Sequence, residues 1–419
     1  MDTAQAVSPA SDTHSVCYGA YASIGMRIFK TSALIIFFAS GFSRAAQPAA
    51  VLKAAGPQSG QAAGMLKSTA AVPAAAGTMA DKPAAAPSRA EMLIKEIGPM
   101  LSPPISSFPV VGQGGNYSVA LENGKTLWFL NNIWTGELKG KGEVSLWGIV
   151  DGGLAVLEST APYSARGGFK YIADENRWPL PVFTAEFAEY TSVRKFWPRA
   201  GLKTNAGYYV YYSLMNNYGP QVYDHFRVGQ GLAFSENPAG PYKMLKVRGL
   251  HAFWNDIEPA FGSALWSDRD GWLYVYGREM TEPGKYAAAL ARVKAENIAD
   301  REQYVYYSLE ASSGLWTSDI SEITPVMENM PDEFSVSYNE YLKEYLALYS
   351  GAEGGAVLMR TGDYPWGPWG VPKNVLTCRK EEYCFGAKEQ AAFSSEGGEK
   401  IFFTIEKKNM PYLYELEFK

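Results

Sequence analysis

In WNDIEPAFGSALW, residues 254–266, the acids Asp256 and Glu258 stand two residues apart among aromatic and small residues. On a strand that spacing puts both on one face, about 7 Å apart along the chain. Glu333 in PDEFSVSYN and Glu389 in GAKEQAAF are further candidates. Cleavage of a glycosidic bond needs two carboxyl groups flanking it, one protonated and one ionised. Asp256, Glu258 and Glu389 are the candidate catalytic carboxyls. Asn116, Asn132, Arg199, Glu333 and Gln390 could bind sugar hydroxyls, and Trp254 and Tyr338, with Trp134 and Trp197, could stack on sugar faces. Each has a plainer reading. Asp256 and Glu258 can accept backbone N–H bonds where the chain enters a sheet. Glu389, beside Lys388 and near Arg199, can be an ion-pair partner. Glu333, after Asp332, can be a solvated loop charge. His225 and His251 read as buried, hydrogen-bonded side chains rather than bases or ligands.

Other chemistries find little support. No His/Cys/Asp cluster has zinc spacing, so no metal is expected. The Gly-x-Gly fragments of FRVGQGLAF and VVGQGGNYS lack a following helix, and no Gly-x-Ser-x-Gly elbow occurs, so no cofactor is expected either. A formal net charge of -5 over 419 residues argues against nucleic acid and against a basic membrane-binding face.

The elements that must position these groups read as short strands. From about residue 105 onward, apolar runs are separated by Gly, Asn, Asp and Pro, an all-β texture. A turn followed by an aromatic-rich run recurs: GKTLWFLN at 124, AGYYVYYS at 206, DGWLYVYG at 270, KEYLALYS at 343 and GEKIFFTI at 398. Before each lies another strand-like run: NYSVAL, WPRAGL, FGSALW, FSVSYN and QAAFSS. SENPAGPY at 235 and TGDYPWGPW at 361 add a repeated Gly-Pro-aromatic turn. The expectation is a five-bladed β-propeller over 105–419, its ring closed by strands from both ends of the domain and YLYELEF pairing at the edge; a pair of β-sandwiches is the alternative. The starts of the inner strands would bring Asn116, Arg199, Asp256 with Glu258, Glu333 and Glu389 to the central channel, with Asp256 or Glu258 reaching towards Asn132 and Glu389.

Upstream, MRIFKTSALIIFFASGFSRAA from Met26 has a basic start, a short apolar stretch and small residues around Ala45. It reads as a secretory signal peptide over 26–45, after an upstream extension over 1–25, with an uncleaved anchor as the alternative. Residues 46–104 read as a disordered Ala/Pro-rich linker, with SRAEMLIKEIGPML as a short helix capped by Ser88. The chain is thus expected outside the cytoplasm, secreted or periplasmic, with no membrane contact after cleavage. Export favours a disulfide between Cys378 and Cys384 of CRKEEYC.

The run NYSVALENGKTLWFL, FWPRAGL, FGSALWSDRDGWLYVYG, FSVSYNEYLKEYLALYSG with PWGPW, and YCFGAKEQAAFSSEGGEKIFFT resembles the family called domain of unknown function 4185, over most of 112–419. The resemblance implies a propeller of the five-bladed glycosidase type, some of whose members act as endo-D-arabinanases. Where relatives carry an Asp after the first aromatic strand, this sequence has Asn132. Where they carry an acid before the Tyr-Ser pair it has Gly114 and Asn116, and where they carry a His in the last blade it has Gln390. An amide binds hydroxyls but is no general base at neutral pH. The expected function is therefore a secreted, glycosidase-like propeller that binds a polysaccharide such as an arabinan-like furanoside in its central funnel; if it is active, the reaction is glycosidic hydrolysis, with Asp256 or Glu258 as one carboxyl and Glu389 as the other. The alternatives are a non-catalytic carbohydrate-binding propeller and a protein-interaction platform.

Overall fold

The computed structural model describes residues 91–101, 109–139, 143–164, 167–183, 194–219, 224–312 and 314–419. The segments expected to be an upstream extension, a signal peptide and the linker up to residue 90 lie outside the described residues.

Strands dominate, and no α-helix occurs among the described residues. The first, β1 (Met92–Pro99), is set aside for the end of the chain. Blade I contains β2 (Val110–Gly114), β3 (Tyr117–Ala120), β4 (Thr126–Leu138), β5 (Val144–Leu157) and β6 (Phe169–Tyr171). Blade II contains β7 (Arg194–Lys203), β8 (Tyr208–Asn217), β9 (His225–Ser235) and β10 (Lys243–Met244), with β11 (Trp254–Asn255) pairing on β9. Blade III contains β12 (Ala260–Ser267), β13 (Trp272–Glu282), β14 (Lys285–Lys294), β15 (Val305–Tyr307) and β16 (Trp316–Thr317), with β17 (Met327–Glu328) pairing on β14. Blade IV contains β18 (Phe334–Asn339), β19 (Glu344–Ser350), β20 (Ala356–Gly362) and β21 (Lys373–Thr377). Blade V runs β22 (Phe385–Glu389), β23 (Lys400–Lys407), β24 (Met410–Phe418) and then β1, antiparallel to β24 from Met92↔Phe418 to Pro99↔Tyr412.

The protein is therefore an all-β, five-bladed propeller closed by the pairing of its first and last described strands. Closure through YLYELEF is as expected, but its partner corrects the sequence reading. MLIKEIGP is a strand rather than a helix, and the ring begins at Met92 rather than near 105. Pairing with β24 decides this, because an unpaired edge strand costs more than the modest local preference for a helix.

The aromatic runs form the second strand of each blade, and both their faces are buried. On β4, Trp128 and Leu130 pack towards blade V while Leu127 and Phe129 pack towards blade II. On β8, Val210 and Tyr212 face blade I while Tyr211 faces blade III. On β19, Ala347 and Tyr349 face blade III while Leu346 and Leu348 face blade V. The period of two thus sends alternate side chains into two neighbouring interblade cores, which is why these runs are apolar without interruption. Each of the five interfaces between neighbouring blades has its own core cluster. In blade V the inner strand is FGAKE rather than QAAFSS, whose Ala391–Phe393 forms a 3-10 turn. Both Gly-Pro turns are cis, at Gly240-Pro241 and Gly367-Pro368. Cys378 and Cys384 are joined in a disulfide, with Cα atoms 6.0 Å apart.

Candidate functional site

Inner strands of a propeller enter from one mouth of the ring, and the second strands run back to it. Register shows this directly. Ala260 at the start of β12 faces Arg278 on β13, and Phe385 at the start of β22 faces Glu406 on β23. Polar side chains gather at these meeting points from all five blades: Asn116 and Asn131, Arg199 with Arg227, Arg278, Asp332 with Glu333, and Lys388 with Glu406.

Glu333 is the hub. It is 4% exposed. One carboxyl oxygen pairs with the Lys388 ammonium; the other accepts from Asn131 Nδ2 at 3.1 Å and lies 3.5 Å from Arg199 Nη1. Arg199, also buried, pairs with Asp332 through Nη2 and donates from Nε to Ser213 Oγ at 2.9 Å. Arg278 Nε lies 3.7 Å from Asp332 Oδ1, which accepts no hydrogen bond from a described residue. The other carboxyl, Glu406, accepts at Oε1 from Gly115 N at 2.8 Å and Asn116 Nδ2 at 2.9 Å. Asn116 is itself steadied by Gln113, whose Nε2 donates to its Oδ1 at 2.7 Å.

Glycine lets the acids crowd. Gly386 sits at φ +60, and a Cβ there would lie 3.1 Å from Glu333 Oε2, 3.2 Å from Lys388 Nζ and 3.5 Å from Glu406 Oε1. Those three charged groups therefore converge on the space that a side chain at 386 would take. Any larger residue would have to push them apart and adopt a left-handed backbone.

The two carboxyls that remain partly open to solvent are driven in opposite directions. Burial, reinforced by the charge of Glu333, raises Glu406 to about 7, and Lys388 and the two donated hydrogen bonds only partly offset this. Burial also opposes ionisation of Asp332, but Arg199, Arg278 and Arg227 outweigh it and hold that carboxyl well below the usual range. At neutral pH the mouth thus holds one carboxyl that can carry a proton and one that stays ionised.

Of the sequence candidates, Asn116, Arg199 and Glu333 come together here, and Glu333 is a buried ion-pair hub rather than a solvated loop charge. Asn132 lies beside them, half-buried, with Nδ2 3.5 Å from Asn131 Oδ1. The others lie elsewhere. Glu258 accepts from Asn255 N at 2.7 Å and pairs with Arg301 at 3.2 Å, while Asp256 is exposed and its carboxylate bonds to no described residue. Arg227 binds the backbone carbonyls of Asn255, Asp256 and Glu258. For Glu258 this is the plainer of the two readings, an acceptor of a backbone N–H; Asp256 accepts no such bond from a described residue. Glu389 does not pair with Arg199: it accepts from Ser337 Oγ and Ser394 Oγ, and burial raises its pKa. Glu258 and Glu389 share no partner. Trp254 is 1% exposed, among Tyr211, Phe261 and Tyr304, so its faces are not offered to a ligand. Tyr338 packs edge-on against Tyr345 at 5.0 Å. Gln390 is buried, with Nε2 donating to Asn116 O and Thr404 Oγ1 and Oε1 accepting from Ser118 Oγ; it joins blades V and I rather than facing a channel. His225 is buried and stacks near Trp197, but neither ring nitrogen finds a partner among the described residues, unlike the hydrogen-bonded histidine expected. No group of His, Cys, Asp or Glu that could hold a metal ion occurs among the described residues.

A family described as "Domain of unknown function (DUF4185)" matches residues 181–414. No curated protein matches the chain. Among solved structures, a "putative hydrolase" from Bacteroides ovatus ATCC 8483 superposes with a TM-score of 0.55 at 18% identity, covering 74% of this chain and 86% of that one. At that identity it shows the fold alone. A family 117 glycoside hydrolase of the marine bacterium Zobellia galactanivorans has a TM-score of 0.43 at 10% identity, covering 78% of this chain and 90% of that one. A GH43_1 enzyme from Xanthomonas citri has a TM-score of 0.42 at 14% identity, covering 77% of this chain and 90% of that one.

Proposed function

The chain belongs to the DUF4185 family, and from that premise we propose that it is a carbohydrate-active propeller that cleaves a glycosidic bond at the mouth lined by Glu406 and Asp332. One observation carries the reading: at that mouth two carboxyls are biased to opposite protonation states, the pair that glycoside hydrolysis requires. Glu406 Oε1 is engaged by Gly115 and Asn116, so Oε2 is the oxygen left to carry and donate a proton to a leaving-group oxygen. Asp332, fixed by Arg199, supplies the ionised partner, as nucleophile or as stabiliser of an oxocarbenium-like transition state. Glu333, Lys388 and Asn131 position and bias these two rather than react. Arabinan-like furanosides are the first substrates to try. Export by the segment over 26–45 belongs to the same proposal, supported by the Cys378–Cys384 disulfide, and an exported chain beginning near Ala46 by mass would test it.

Release of reducing sugar from a panel of arabinans and other glycans tests the reading, with Glu406→Gln and Asp332→Asn as controls. Turnover that both variants abolish while the thermal melt is retained supports it. Turnover unchanged in both sinks it. A second reading, binding without cleavage, draws on the amide Asn132 beside the site and on the tight engagement of Glu333. Saturable glycan binding with no product would favour it.

A further inference from the structure

Four cations gather at the mouth. Arg199, Arg227, Arg278 and Lys388 face Asp332 and Glu333, with Asp256 near Arg227, and burial raises Glu406 to about 7. Three of the four cations are committed. Arg199 serves Asp332, Glu333 and Ser213; Arg227 serves three backbone carbonyls; Lys388 serves Glu333 and lies 4.5 Å from the Tyr117 ring.

Arg278 is the exception. Its guanidinium stacks on the Tyr286 ring at 4.2 Å, which fixes the plane of the fork. Its one ionic neighbour is Asp332 Oδ1, at 3.7 Å from Nε, too far for a hydrogen bond. It donates no hydrogen bond to any described residue, and its side chain is 30% exposed. A guanidinium oriented by an aromatic ring, with its donors unspent, suits a planar anion held by paired hydrogen bonds. We propose that the mouth recognises a glycan bearing an anionic group, with Arg278 as the residue that reads it: a uronate carboxylate, or failing that a sulfate ester. The inference rests on the carbohydrate reading above and names the class of sugar that reading leaves open.

The test is calorimetric binding of four probes to the whole chain: tetragalacturonate, a sulfated galacto-oligosaccharide, neutral galactotetraose and a neutral arabino-oligosaccharide. The expected result is binding of an acidic probe that weakens as salt is raised, and by roughly 10- to 100-fold in Arg278→Gln, the scale of a lost hydrogen bond to a charged group. Arg278→Lys should recover part of the loss by keeping charge without the fork. Which acidic probe binds tells carboxylate from sulfate. Equal affinity for neutral and acidic probes, binding of a neutral probe alone, or an acidic affinity that Arg278→Gln leaves intact overturns the inference while the carbohydrate reading stands. Binding of none of the four overturns both. A thermal melt of Arg278→Gln matching the parent shows that any loss is not unfolding.

Discussion

Two acidic regions, the turn over Asn255–Glu258 and the cluster of Asp332, Glu333 and Glu406, use the same residue types differently. In the turn, Glu258 serves a local amide and one arginine, and Asp256 stands in solvent. The backbone would keep its course if both carboxylates became amides. In the cluster, the partners of each carboxyl come from other blades: Glu333 draws on blades I, II and V, and Glu406 on blade I. Partners from across the ring set the protonation of Asp332 and Glu406. Acids that answer local backbone geometry are easy to place and chemically ordinary. Acids that depend on ring closure are where protonation can be set.

The sharpest break of that contrast is in stability. Lys388→Met leaves Glu333 without its ammonium partner, at 4% exposure. Removing one member of a buried pair costs about 3–5 kcal/mol. Glu258→Gln loosens a partly exposed pair with Arg301 and is expected to cost about 1 kcal/mol or less. Urea titrations of the two variants should differ by that margin; equal midpoints would mean that Glu333 is not held as described.

Activity comes next. Glu406→Gln should cut hydrolysis at least about 100-fold, the lower end for loss of a general acid, while Asp256→Asn leaves it unchanged. A loss in Asp256→Asn with none in Glu406→Gln would reverse the assignment of the two regions.

The fold was legible because its signal is local and repeated: each aromatic run is buried on both sides, and each turn before it is short. The site was only half legible. Asn116 and Glu333 directly precede inner strands and Arg199 lies within one, where the sequence directs attention. Glu406 and Arg278 stand in the later halves of the second strands, in IFFTIEK and LYVYGRE. A usable signal was present, since three of the aromatic runs end in Asn131, Ser213 and Ser350 and the other two are followed directly by Arg278 and Glu406, and antiparallel pairing returns those positions to the inner strands. What no single sequence carries is which acid would find a lysine and which an arginine across the ring, and those partners set the protonation. β1 was missed for a similar reason: its partner strand lies at the opposite end of the chain.

The smallest expected effect is the pH dependence of stability. Glu406 has an ordinary value of 4.5 and is raised to about 7 in the folded ring. A carboxyl raised on folding binds its proton more tightly in the native state than in the unfolded chain. Its contribution is therefore fully present below pH 4.5 and is lost as pH climbs towards about 7. Asp332 runs the other way, because its folded value is depressed: it stabilises at neutral pH and gives that up only in strong acid. Between the two, the parent should lose stability from about pH 4.5 to 7, and Glu406→Gln should flatten that slope by removing the titrating group. Urea midpoints taken at intervals across that range would show it. A slope that persists in Glu406→Gln would assign the proton to another group, and the alternatives are Glu389 and Glu279, whose pKa values burial also raises.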